Sequence, residues 1–112
     1  MVKTDVEISD QDLDQLSSLF RLLSDKTRLS ILLKLCDGER NVTSLCEDLQ
    51  LPQPTVSHHL GLLRMNNLVG NRRSGKQVFY TLSSIPDGDG TVMGFNVQNL
   101  MVNVKQRLAK PI

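Results

Sequence analysis

"LPQPTVSHHLGLLRMNNLVGNRRSGKQVFYTL", residues 51–82, changes its repeat partway along. Up to Asn66 the apolar side chains of Val56, Leu60 and Leu63 recur at helical spacing and form one stripe. Beyond Asn67 the period falls to two. Leu68-Val69 and Val78–Leu82 bracket a polar "RRSGK" tip, which predicts a β-hairpin turning at Ser74-Gly75. Immediately upstream, "NVTSLCEDLQL" (41–51) predicts a short helix with Thr43 as its cap and Leu45 and Leu49 facing inward. Leu51-Pro52 breaks it, and a second helix runs from about Gln53 to Asn66. Two short helices about a tight turn, spanning about 42–66, make a helix-turn-helix. The hairpin that follows, about 68–82, is its wing. The expected fold is therefore mainly α with a β-hairpin wing, a winged helix-turn-helix.

Working outward, Ser9 or Asp10 can cap a first helix reaching about Leu23, with Leu13, Leu16, Leu19, Phe20 and Leu23 on its apolar positions. "LSDKTRLSILLKLCDGE" (23–39) offers Ser24 or Asp25 as the next cap and Asp37-Gly38 as the stop. Its leucines and Ile31 surround most of the helix, which places it centrally in the core. Downstream, "SSIPDGDG" (83–90) reads as a loop. The segment at about 91–108 has two readings, each serving packing or dimerisation. As a helix, Met93, Val97, Leu100, Met101, Val104 and Leu108 share a face. As a second hairpin turning at Gln98-Asn99, Met93, Phe95 and Val97 pair with Val104, Val102 and Leu100. The valines, Asn96, Asn99, Asn103 and the internal Gly94 lean toward the hairpin.

The whole chain, 112 residues with 39% hydrophobic and 22% charged side chains, fits one domain with one core. No apolar run approaches the roughly 20 residues of a membrane span. "MVKTDVEISDQDLDQL" lacks the apolar centre of a secretory signal, so a soluble cytoplasmic protein is expected. Net charge is only +1 but unevenly spread: residues 1–25 hold two basic and six acidic side chains, residues 26–80 eight and four. A basic middle suits nucleic acid, and many solvated surfaces as well. Cys36 and Cys46 read first as small half-buried apolar residues, with a thiol switch as the alternative. No phosphate-cradling loop, serine-nucleophile motif or paired carboxylates point to an enzyme, and no cofactor is expected.

The two histidines, His58 and His59, are the only ones in the chain. At about 100° per residue they point too far apart to chelate one ion, which on a helix needs i, i+4 spacing. His59 falls on the flank of the core stripe, where a backbone carbonyl is its expected partner. His58 falls nearly opposite the stripe, beside Pro54 and Ser57. Alone, that describes an ordinary solvated residue. On the second helix of a helix-turn-helix, it is the face that enters a major groove. Gln53, Thr55, Ser57 and His58 offer donors and acceptors suited to base edges and phosphates. Arg72, Arg73 and Lys76 at the wing can reach phosphates or a minor groove.

"LFRLLSDKTRLSILLKL", "LPQPTVSHHLGLLRMNNLV" and "RRSGKQVFYTL" together resemble the ArsR/SmtB family of bacterial winged-helix repressors, from about Leu19 to Leu82. The resemblance implies a homodimer that binds a two-fold symmetric operator in double-stranded DNA and represses transcription until a signal releases it. It implies a DNA-binding set of Gln53, Thr55, Ser57, His58, Arg64, Arg72, Arg73 and Lys76, and a dimer interface including Leu13, Leu16 and Phe20. Arg28 would serve helix packing or a phosphate. The chain also departs from the family. Asn41 and Thr43 occupy the positions of the metal-binding cysteine pair, Cys46 stands alone, and no histidine follows His59, so no metal site is expected. Pro52 replaces the serine that usually caps the recognition helix. Two alternatives remain: a winged-helix protein-interaction module without specific DNA binding, and a thiol-responsive repressor using Cys36 and Cys46.

Overall fold

A computed structural model describes residues 7–83 and 91–107. Residues 84–90 of the loop expected at 83–90, and the end of the 91–108 segment at Leu108, lie outside the described residues. The elements run α1 (Asp10–Leu23), α2 (Lys26–Leu35), β1 (Arg40–Asn41), α3 (Val42–Leu49), α4 (Gln53–Met65), β2 (Val69–Ser74), β3 (Gln77–Leu82), β4 (Thr91–Val97) and β5 (Leu100–Lys105).

The helix starts follow side-chain chemistry. Ser9 caps α1 by accepting the Asp12 N–H, and Asp25 caps α2 by accepting the Arg28 N–H, both at 3.0 Å. For α3 the expected cap, Thr43, lies two residues too late. Asn41, in extended backbone, takes the Ser44 N–H on Oδ1 at 2.7 Å, leaving Thr43 inside the first turn. The α4 cap is Pro52, which has no side-chain acceptor to offer. Gln50 ends α3 in the left-handed region at φ 55°, and three residues then turn the chain into α4.

Ile31, Leu32, Leu45, Val56, Leu60 and Leu63 are fully buried where α2, α3 and α4 meet. Burial of each such side chain is worth about 1.5–3 kcal/mol, so this cluster dominates the core. α2 is central as expected, but not on every side: Leu33 is 48% exposed. From α1 only Leu19 and Leu23 join the core.

β3 is the middle strand of a sheet ordered β1-β3-β2. Two-residue β1 was not anticipated, because so short a strand has no periodicity to read. Ser74 pairs with Gln77, so the wing turn is Gly75-Lys76, one position beyond the expected Ser74-Gly75. Gly75 takes φ 63° at the first turn position, where lack of a Cβ makes that cheap. The C-terminal segment is the second hairpin, with Met93↔Val104, Phe95↔Val102 and Val97↔Leu100 in register. Met93, Phe95 and Val97 are buried against the helices and extend the core.

Candidate nucleic-acid interface

The apolar stripe of α4 packs Val56, Leu60 and Leu63 inward, and that packing fixes which way its other residues point. Gln53, Ser57 and His58 stand exposed and Thr55 half-buried. None of their side-chain polar atoms has a hydrogen-bond partner among the described residues. The His58 ring stands edge to face with the neighbouring imidazole of His59, ring centres 5.4 Å apart.

His59 has the flank position expected but a different partner. Its Nδ1 meets Arg28 Nη1 at 3.3 Å, and Arg28 Nε donates to the Leu22 carbonyl at 2.7 Å. A guanidinium only donates, so Nδ1 is the acceptor and a neutral ring carries its proton on Nε2. Arg28 thus ties the end of α1 to α4, which is the packing role. Asp25 completes the corner, its carboxyl held below the ordinary value chiefly by the Arg28 N–H, with help from the charge of Arg28.

Arg64, on the last turn of α4, does not share the outward face of His58. It lines a cleft with Gly61 and Met65 on one wall and Val69, Asn71 and Tyr80 of the wing on the other. Arg73 and Lys76 are exposed and make no ion pair among the described residues. Arg72 is engaged: Nε and Nη2 hold the two oxygens of Glu39 at 2.7 and 2.6 Å, and its guanidinium lies 4.8 Å from the Phe79 ring centre. The Arg72 guanidinium keeps the Glu39 carboxyl below its usual range, and the arginine's own pKa is raised in return. Nothing in the sequence singled out Glu39, which follows a Gly in a turn and reads there as a solvated acid.

Asn41 uses its amide twice, capping α3 and donating from Nδ2 to Gln77 at 3.1 Å. Cys36 Sγ lies 3.3 and 3.0 Å from the carbonyl oxygens of Leu32 and Val92, which share its one S–H, and burial pushes its pKa up, with the nearby Asp37 adding to the shift. Leu13 and Phe20 are 49% and 52% exposed on α1, with Leu16 half-buried beside them.

Residues 25–70 match the family described as bacterial regulatory protein, arsR family. The arsenical resistance operon repressor of Escherichia coli is 48% identical over 66 residues, covering 58% of this chain and 56% of the repressor. The solved structure of HlyU from Vibrio cholerae, a protein named as a transcriptional activator, aligns with a TM-score of 0.65 at 37% identity, covering 68% of this chain and 83% of HlyU. A Mycobacterium bovis fragment, described as a homodimeric winged helix-turn-helix DNA-binding domain of a possible ArsR-family regulator, aligns with a TM-score of 0.62 at 30% identity, covering 71% of this chain and 77% of the fragment. The chain spans about half the length of the curated relatives it matches.

Proposed function

Because the chain belongs to the arsR family of bacterial regulatory proteins, we propose that it represses transcription as a homodimer on a two-fold symmetric stretch of duplex DNA, without a metal effector. The observation that carries this reading is the unpartnered polar face of Gln53, Ser57 and His58 on α4, with Arg73 and Lys76 free on the wing. Those α4 side chains, with Thr55, would meet base edges or phosphates in a major groove. Arg64, Arg73 and Lys76 would neutralise phosphates. A module that binds only protein has no use for a hydrogen-bonding face and a cationic tip together.

The dimer would use the apolar face of α1, where Leu13 and Phe20 lie open to water, with Leu16 between them. The metal-free reading rests on Asn41 and Thr43, an amide and a hydroxyl where soft-metal sensing needs thiolates. Thiol control is disfavoured by Cys36: a thiol whose pKa is raised by burial, and whose S–H faces two backbone carbonyls, supplies little thiolate.

Fluorescence anisotropy on a labelled duplex from upstream of the chain's own gene, against excess unrelated DNA, tests the proposal. His58→Ala is expected to lose about 1–3 kcal/mol of discrimination between the two, and Lys76→Ala to lower the salt slope of binding by about one on both. A folded dimer with no preference for its upstream duplex, and no salt dependence, would sink it.

A further inference from the structure

Arg72 and Arg73 are consecutive in β2, so strand alternation sends them to opposite faces of the wing. Asn71 and Tyr80, paired across β2 and β3, line the cleft that α4 closes with Arg64. By alternation Arg73 shares their face, exposed nearer the tip. Arg72 stands on the reverse face and crosses the Phe79 ring to reach Glu39. Phe79 lies in β3, and β1 borders β3 on the far side. The Arg72 and Glu39 side chains together therefore bridge the three-stranded sheet, from β2 to the residue just before β1.

Glu39 begins a run of three residues that between them hold three elements, β2, α3 and β3. Glu39 holds β2 through Arg72; Arg40 pairs with Asp48 of α3; Asn41 caps α3 and holds Gln77 at the start of β3. The wing and the helix-turn-helix are thus fastened to one tripeptide.

We propose that Glu39 is a positioning residue that sets the pitch of the wing against α3 and α4, and that Arg72 is its strap and not a phosphate ligand. The inference rests on the DNA-binding reading above and changes which arginine acts there. An exposed ion pair ordinarily contributes little. This one is a two-bond fork stacked on an aromatic ring, the geometry in which such a pair holds its shape. Turning Arg72 to DNA would break both bonds and leave the Glu39 carboxylate unpaired near phosphates. Arg73 and Lys76 have no such commitment.

Glu39→Gln and Arg72→Met, alone and combined, are titrated against a labelled mixed-sequence duplex over a range of salt, after thermal melts confirm each protein is folded. Glu39→Gln is expected to bind about two- to fivefold more weakly, the range an exposed pair covers, although it removes a negative charge. Arg72→Met should weaken binding by the same factor, and the double variant by no more than either single one. The salt slope should stay put in Arg72→Met and fall by about one in Arg73→Ala. If Glu39→Gln binds as well as or better than the parent chain, or if Arg72→Met lowers the slope by about one, Arg72 is not a strap and the inference is overturned. If Arg73→Ala and Lys76→Ala also leave the slope unchanged, the DNA reading itself fails and the strap falls with it.

Discussion

Asp25 joins local structure to long-range packing through one carboxylate. It caps α2 with a hydrogen bond from Arg28, the residue that also holds the Leu22 carbonyl and His59. Its folded pKa lies below the ordinary carboxylate value of 3.8, so its contribution to stability is present above that value and is lost as pH falls through the lower folded one. Asp25→Ala is expected to cost about 1 kcal/mol at neutral pH. In urea melts the gap between variant and parent should close below about pH 4, as the cap is protonated. A gap of constant size across that range would mean the carboxylate charge has no part in the cap. At this scale the sequence was half legible. The wheel put His58 outside and His59 on the flank because direction follows from helix periodicity. Periodicity has no means of naming a partner 31 positions away, so Arg28 was missed for His59, as Glu39 was for Arg72.

The second hairpin depends on a turn made from awkward residues. Gln98 sits at φ 55° in the first turn position, with a Cβ that resents it, where the wing turn has Gly75. Gln98→Gly is expected to raise stability by about 0.5–1 kcal/mol, the relief of left-handed strain less the extra freedom of glycine in the unfolded chain. A thermal melt checks it; a lowered midpoint would mean the Gln98 side chain contributes more than its backbone costs. The register of this hairpin was legible because alternation pairs Met93, Phe95 and Val97 with Val104, Val102 and Leu100, and few other registers put all six on one face. The α3 cap was not. Thr43 is a reasonable cap until the chain before it is known to be extended, and that extension comes from β1 pairing with Phe79 and Tyr80 of distant β3. Local spacing found the elements whose periods are long enough to repeat, and missed the one whose existence is tertiary.

For the molecule as a whole, the proposed dimer would close the open apolar face of α1. Phe20→Glu places a charge on a surface already half in water, so the monomer fold should survive with little change in far-ultraviolet circular dichroism. Sedimentation should then show monomer where the parent chain is expected to run as a dimer. Affinity for a two-site duplex should fall by about a hundredfold or more as linkage between half-sites is lost. An unchanged dimer would move the interface off α1 and onto the hairpin. That hairpin brings a different liability. Leu100, next to the two-residue turn, bonds back to Val97, so alternation turns the amides of Met101 and Asn103 away from β4. No strand among the described residues pairs with that edge, and Met101 and Val104 beside it are 68% and 40% exposed. Such an edge is a template for any extended chain that meets it. Concentrated stocks of this protein should therefore spoil by growing β-rich fibrils seeded at β5, with shelf life set by one ragged strand while the helical core is still far from melting.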